Sequence, residues 1–300
     1  MQVLVTGATG LIGRRLVQRL LDRGDRVQVL AREPLRALGL RKLGAHVSGG
    51  DITRPQTLPH ALTDVEVVYH VAGRVGPGIL APAYTLTNVT GVANMLSAAH
   101  KAGVARFVHV SSVAAYAHPG LNTTEDAPVG LGHGHNAYAV SKARGDLLVQ
   151  AAGQRGDVAT VIVRPVAVYD DGAGITNVTY WAKLLNRLPI IPLPAGGDFP
   201  FPIIHADDVA QLLVRCGTEI AAVGHAYNAS GNEALTLRTV ITTARPTGTA
   251  GPPILALPAG QRRRTGATFP ATRAHTELQF APTHHWGEAA VRQPTEIASD

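Results

Sequence analysis

An alternation of short apolar runs with helix-like segments constrains this chain most. The runs are "QVLVT" (2–6), "RVQVLA" (26–31), "AHVSG" (45–49), "EVVYHVA" (66–72), "RFVHVS" (106–111) and "TVIVRP" (160–165). Helix-like segments occupy 11–23, 33–43, 55–63, 85–102 and 137–153. Strands this apolar have no face suited to water, which marks a parallel sheet covered by helices on both sides. Short links between strand and helix then predict a doubly wound α/β domain.

Composition narrows the class of protein. Hydrophobic residues make up 45% of the 300 and charged residues only 16%, so the chain folds around a core. The net charge of +6 comes from scattered arginines, as in 13–15, 35–42 and 261–264. None of these clusters is interleaved with aromatic residues, which argues against nucleic acid as a partner. Cys216 is the only cysteine, so it reads as a small buried apolar residue, with neither a disulfide nor a zinc cluster available. No apolar run reaches the roughly 18–20 residues of a membrane span. The N-terminus opens directly into a strand. A cytoplasmic protein with no membrane partner is the expectation.

The first strand runs into "GATGLIG", with Gly7, Gly10 and Gly13 three residues apart at the start of a helix. Such a turn lets backbone approach a pyrophosphate, and the helix N-terminus points free N–H groups at it. The expected domain is therefore a Rossmann fold that binds a dinucleotide. An acid at the end of the second strand normally holds the adenosine ribose. Here Ala31 is followed by Arg32, whose planar guanidinium suits the 2′-phosphate of NADP(H), with Arg14 or Arg36 assisting. Glu33, next in line, keeps NAD as the alternative.

After Pro165 the alternation stops. Proline and glycine crowd "LPIIPLPAGGDFPFPI" (188–203), and a helix resumes at 206–217 with Asp207 and Asp208 in its first turn. We expect residues 1–165 and about 203–225 to form the dinucleotide-binding domain, with 203–217 returning to the sheet. Residues 166–202 and 226–300 would form a smaller C-terminal substrate-binding lobe, and the last residues would fray.

These segments together resemble the extended short-chain dehydrogenase/reductase family, which includes NAD-dependent epimerases and dehydratases, 3β-hydroxysteroid dehydrogenases and dihydroflavonol reductases. "TGATGLIG" is similar to the family's glycine turn, "GDI" (50–52) to its adenine-contacting segment and "VYHVAG" (68–73) to the loop beside the cofactor. "NVTGVANMLSAAHKAGVARFVHVSS" (88–112), "YAVSK" (138–142), "VRP" (163–165), "IHADDVA" (204–210) and "ELQFAPTHHWGEAA" (277–290) match later segments, the last being the Phe–x–Pro and final helix. The resemblance implies that Gly7, Thr9, Gly10, Leu11, Ile12, Gly13, Arg32, Asp51, Ile52, Val71, Ala72, Gly73, Asn88, Tyr138, Lys142, Pro165 and Val168 hold the cofactor. It also implies Ser112, Tyr138 and Lys142 as the catalytic set. Homodimers through the helices at 85–102 and 137–153 are common in the family, although helix-on-sheet packing accounts for the same apolar content.

The chemistry of that set has a physical basis. Tyr138 and Lys142 lie four residues apart, on one helix face. A free phenol titrates near pH 10, and a neighbouring ammonium would favour its ionised form. Ser112 would hold the substrate oxygen, Tyr138 would move the proton, and Lys142 would bind the nicotinamide ribose and tune Tyr138. Ser111 reads as a strand-end hydroxyl that satisfies backbone.

Departures from the family's patterns select the reaction. Val113 and Ala114 stand where sugar-nucleotide dehydratases carry an Asp–Glu pair. Ala167 replaces the epimerases' asparagine, and Phe201, flanked by Phe199 and Pro200, replaces the arginine that grips a diphosphate. The expectation is an NADP(H)-dependent oxidoreductase that interconverts a carbonyl and a secondary alcohol, with a nucleotide-sugar epimerase as the alternative. His133 and His135 suggest a substrate-facing loop rather than a metal site. His284 and His285 read as a surface pair and His205 as packed. Trp181 lines the pocket or fills core between the lobes.

Overall fold

The computed structural model describes residues 1–76, 78–130, 136–170, 177–245, 250–258 and 266–287. Seven parallel strands form the central sheet: β1 (Gln2–Thr6), β2 (Arg26–Ala31), β3 (His46–Gly49), β4 (Val67–His70), β5 (Arg106–Val110), β6 (Ala159–Pro165) and β10 (Ala226–Ala229). Their spatial order is β10-β6-β5-β4-β1-β2-β3. The chain runs outward from β1 to β3, then crosses back to place β4 on the other side of β1. That reversal leaves a crevice at the C-terminal ends of β1 and β4, where open α/β sheets take their ligands.

Side chains alternate between two buried faces, which is why the strands read as continuous apolar runs. Val3 and Val5 of β1 face helix α1 (Leu11–Asp22) and helix α7 (Ala206–Thr218) through Leu16, Leu20, Val209 and Leu213. Leu4, Val68 and Phe107 face the opposite layer, helix α4 (Gly91–Lys101) and helix α5 (Ala137–Gln154), through Met95, Leu96 and Val149. Helix α3 (Ala81–Thr85) runs into α4 through a π-helical turn, Leu86–Thr90, so this helix starts before the expected residue 85. The segment at 55–63 is two 3-10 turns, because Pro55 and Pro59 each open a turn and remove a backbone donor. The segment at 33–43 is likewise a 3-10 turn opened by Pro34 and a short helix α2 (Leu38–Lys42).

The second lobe has its own small cores. Strand β7 (Ala167–Tyr169) pairs with β9 (Ile203–His205), and β8 (Ile191–Pro194) pairs with β11 (Ile254–Leu257). Helices α6 (Val178–Leu185) and α8 (Leu237–Thr243) pack between these pairs, around Ala182, Val240, Ile241 and Leu193. A last helix, α9 (Thr272–Leu278), precedes the buried Phe280 and Trp286.

Two sequence expectations need correction. The segment at 203–205 pairs with β7 rather than joining the large sheet, although α7 after it packs on that sheet. The seventh sheet strand is Ala226–Ala229, beyond the limit of 225 set for the first domain. "AYNA" has one strand-favouring residue, Tyr227, beside Asn228 and two alanines, so its own strand signal is weak; its pairing with β6 makes it a strand. Residues 288–300, and with them the expected fraying and the end of the final helix, lie outside the described residues.

Two histidines are buried behind the crevice. His70 and His109 are register partners on β4 and β5, with rings stacked 5.5 Å apart. Burial, helped by the Lys142 charge, pushes His70 down to about 3 and His109 well below its ordinary value. Thr6 Oγ1 lies 3.0 Å from His70 Nδ1; neither ring nitrogen of His109 has a hydrogen-bond partner among the described residues. An unfolded imidazole takes its proton near pH 6.5 and this pair refuses it. Their contribution to stability is therefore complete above pH 6.5 and falls as the pH drops from there toward 3. At pH 5 His70 accounts for about 2 kcal/mol of lost stability, and His109 adds a loss of the same sign. Urea unfolding of His109→Leu at pH 7 and pH 5 is expected to show a smaller loss than the unsubstituted protein. An equal loss would mean that His109 is not held neutral.

Candidate active site

A cleft of about 610 Å³ runs along the C-terminal edge of the sheet, from Arg32 at one end to Trp181 at the other. Its floor is the glycine turn. Gly7 has φ +71°, and a Cβ there would sit 2.6 Å from the backbone nitrogen of Ala72. A Cβ on Gly13 would collide with the carbonyl oxygen of Gly7, so α1 packs against its own turn only if that position is glycine. No side chain caps α1 at Gly10, which leaves its first amides and the positive end of its dipole facing the cleft. Ser111 Oγ, on a residue 4% exposed, lines the same cleft and has no hydrogen-bond partner among the described residues. The expected role for Ser111, a hydroxyl satisfying backbone, is therefore not what the structure places there. A glycine cradle, an uncapped helix end and an orphaned hydroxyl are features a dinucleotide fits.

Of the seventeen residues assigned to the cofactor, the structure gathers sixteen around this cleft. Thr9, Leu11 and Ile12 line it beside the three glycines, and Arg32, Asp51 and Ile52 surround the end near β2. Val71, Ala72 and Gly73 form the wall after β4, and Pro165 and Val168 the wall after β6. Asn88 is the exception. It is 2% exposed and lies behind the wall, where it clasps the backbone of Arg74 from both sides. Asn88 Oδ1 accepts from the Arg74 N–H at 2.7 Å, while Nδ2 donates to the Arg74 carbonyl at 3.0 Å and to Ser141 Oγ at 2.9 Å.

Charge at the Arg32 end is divided unequally. Arg14 reaches Asp170 at 3.7 Å and is not among the cleft-lining residues, so it is not the assisting arginine proposed from sequence. Glu33 pairs with Arg36 at 2.9 Å, and Arg32 has no ion-pair partner among the described residues. Arg74 also lines the cleft, and the sequence reading missed it. The signal was present as the residue after "VAG", but nothing in a sequence shows that its backbone is pinned.

The catalytic candidates meet near the other end. Strand β5 ends at Val110 and delivers Ser112, which caps a 3-10 turn by accepting from the Ala114 N–H at 3.1 Å. Asn136 caps α5 by accepting from the Ala139 N–H at 2.9 Å, which fixes Tyr138 and Lys142 on the first turns of that helix. Tyr138 hydrogen-bonds with Ser112 and packs against Tyr84, ring centroids 5.7 Å apart. Lys142 Nζ, buried, donates to the Val110 carbonyl at 2.7 Å.

The direction of tuning differs from the sequence expectation. Burial raises the Tyr138 phenol above its ordinary value; the Ser112 hydrogen bond opposes that and Tyr84 adds to it. Burial likewise lowers Lys142 to about 8, against the pull of Asp146 one turn along α5. The ammonium is spent on a backbone carbonyl, and Tyr138 is a protonated donor at neutral pH. Asp146 in turn forms a bidentate pair with Arg164, 2.9 and 3.0 Å, with both residues buried. Arg164 also donates to Tyr116 Oη and to the carbonyl of Glu125.

The lobe side of the cleft is apolar: Pro165, Val166, Ala167, Val168, Val178 and Trp181 line it among the described residues. Trp181 is therefore a lining residue, and Phe201 stands behind it in an edge-to-face contact at 5.9 Å. His284 is not a simple surface residue, since it stacks on the buried His205 at 4.0 Å and bonds Asp208 at 2.9 Å. His133 and His135 lie outside the described residues. Among those residues no helix is long and apolar enough to cross a membrane.

Known proteins resemble this chain in sequence and fold. The chain is 35% identical over 220 residues to a ceramide reductase of Caulobacter vibrioides, a match that covers 73% of this chain and 62% of that one. A 2-alkyl-3-oxoalkanoate reductase of Stenotrophomonas maltophilia is 33% identical over 178 residues, 57% of this chain and 52% of that protein. The match thus spans less than two thirds of these curated relatives. Among solved structures, MoeE5 in complex with UDP-glucuronic acid and NAD superposes with a TM-score of 0.82 at 25% identity, covering 98% of this chain and 97% of that one. A UDP-glucuronic acid 4-epimerase of Bacillus cereus shares the fold at 23% identity, with a TM-score of 0.82 and coverage of 97% and 96%. Residues 3–230 match the NAD dependent epimerase/dehydratase family. From β1 to β10, then, the chain belongs to the NAD-dependent epimerase/dehydratase family, whose members are extended short-chain dehydrogenase/reductase-type enzymes.

Proposed function

We propose that this protein is an NADP(H)-dependent carbonyl reductase acting on an apolar ketone or aldehyde, or on the corresponding secondary alcohol in reverse. The observation that carries the reading is the meeting of Ser112, a protonated Tyr138 and a buried Lys142 at the apolar end of a cleft built for a dinucleotide. A bound nicotinamide supplies or accepts the hydride. Ser112 Oγ hydrogen-bonds the carbonyl oxygen, and Tyr138 Oη gives it a proton as negative charge develops there. Lys142 Nζ, two residues behind Ser112 on the Val110 carbonyl, is placed to turn toward ribose hydroxyls. Trp181 and Val178 exclude water from the reacting carbon.

The relatives named as reductases of ceramide and of 2-alkyl-3-oxoalkanoates support an apolar substrate. A nucleotide-sugar epimerase is the second reading, favoured by neighbours that hold UDP-sugars with NAD. It calls for a charged grip on a diphosphate, and the lobe-side lining described here offers none. The test is a panel of alkyl ketones, aldehydes and secondary alcohols followed by NADPH absorbance, with NADH and UDP-sugars in parallel. Long-chain ketones with NADPH are expected to turn over fastest. Turnover confined to UDP-sugars would overturn the proposal, and a clear preference for NADH would remove the NADP assignment.

A further inference from the structure

We propose that Arg74, aimed by Asn88, is the second cation of a phosphomonoester site whose first cation is Arg32. The inference rests on the dinucleotide reading of the cleft and specifies who holds the 2′-phosphate. A side pocket of about 280 Å³ opens off the cleft, lined by both arginines together with Gly73, Val75, Ile79 and Thr87.

Three observations converge. First, neither guanidinium has a carboxylate partner among the described residues, whereas Arg15, Arg19, Arg23, Arg164 and Arg238 each pair with an aspartate. Glu33, next to Arg32 in sequence, is paired with Arg36. Two like charges that share a pocket repel until an anion sits between them. Secondly, the backbone of Arg74 is fixed: a buried asparagine spends three hydrogen bonds to hold that residue and anchor itself to Ser141. A fixed backbone narrows the space that the Arg74 side chain can reach, and its guanidinium fork of donors suits phosphate oxygens. Thirdly, the rest of the lining brings no negative charge, and the Thr87 hydroxyl offers a further donor. Asp51, the other acid on the cleft, has Oδ1 occupied by Thr53 N–H and Oγ1.

Calorimetric titration of the whole chain with 2′,5′-ADP and with 5′-ADP tests this. The unsubstituted protein is expected to bind 2′,5′-ADP more tightly. Arg74→Met is expected to weaken 2′,5′-ADP about tenfold or more and to leave 5′-ADP unchanged, as is Arg32→Met. Asn88→Ala, shown by its melting curve to be folded, is expected to reproduce part of the Arg74→Met loss. Equal weakening of both nucleotides by Arg74→Met would move the arginine to the pyrophosphate and overturn the proposal. No weakening of either nucleotide would overturn it too, because any phosphate Arg74 holds would then belong to another ligand. Failure of the dinucleotide reading has a separate signature, in which neither nucleotide binds the unsubstituted protein.

Discussion

Tyr138→Phe is expected to lower ketone reduction by about 10²- to 10⁴-fold, the range a positioned general acid supplies. The substitution removes one hydroxyl and leaves the ring packed on Tyr84, so the fold and the glycine turn are untouched. Cofactor affinity, read by quenching of protein fluorescence, should stay within about fivefold, because a lost neutral hydrogen bond is worth only about 1 kcal/mol or less here. The two readouts separate proton donation from binding. Turnover within a few-fold of the unsubstituted enzyme would mean that another group delivers the proton. Burial raises the phenol, so Tyr138 holds its proton at neutral pH as an ordinary tyrosine does, which is the form that a general acid starts from.

Arg164→Met is expected to cost about 3–5 kcal/mol of stability, the usual penalty for stranding a buried charge. Asp146 is fully buried, and its remaining hydrogen-bond partner among the described residues would be Gln150 Nε2. Tyr116 Oη would also lose a donor. Burial alone works against the Arg164 charge, and the Asp146 carboxylate more than outweighs it, so the guanidinium sits above its ordinary value. Thermal or urea melts read the loss directly. The double variant Asp146→Leu, Arg164→Met should recover most of it, because the pair leaves together and no charge is stranded. A double variant as unstable as the sum of the singles would show that the pair is not coupled.

The sequence revealed most where a signal is local and repeated. Five sheet strands, β1, β2, β4, β5 and β6, were legible because burial on both faces demands apolar runs, the half-exposed edge strand β3 because it continues their alternation, and the glycine turn because no other residue fits Gly7 and Gly13. Strand β10 was not, since "AYNA" becomes a strand only through its pairing with β6. Most of the site residues were placed by motif. Asn88, read from sequence as a cofactor residue, lies buried behind the wall, because its spacing says nothing about the direction its side chain takes from a π-helical turn. Phe201, read from sequence as replacing a diphosphate-gripping arginine, meets the cleft only through Trp181, since the lobe's fold decides which of the two aromatic rings faces the cleft.

The late position of β10 also matters while the chain is being made. Translation delivers β6, with Arg164 already on it, well before residue 229 has been joined. Until then β6 is an open edge, with unpaired backbone groups on one side. The lobe strands β7, β8 and β9 are synthesised in the interval, next to an edge that they must not join. β7 finds β9 and β8 finds β11, while Pro192 and Pro194 deprive β8 of two backbone donors. The proline-rich stretch that looked like a mere interruption of structure thus leaves β8 with fewer donors to offer that edge.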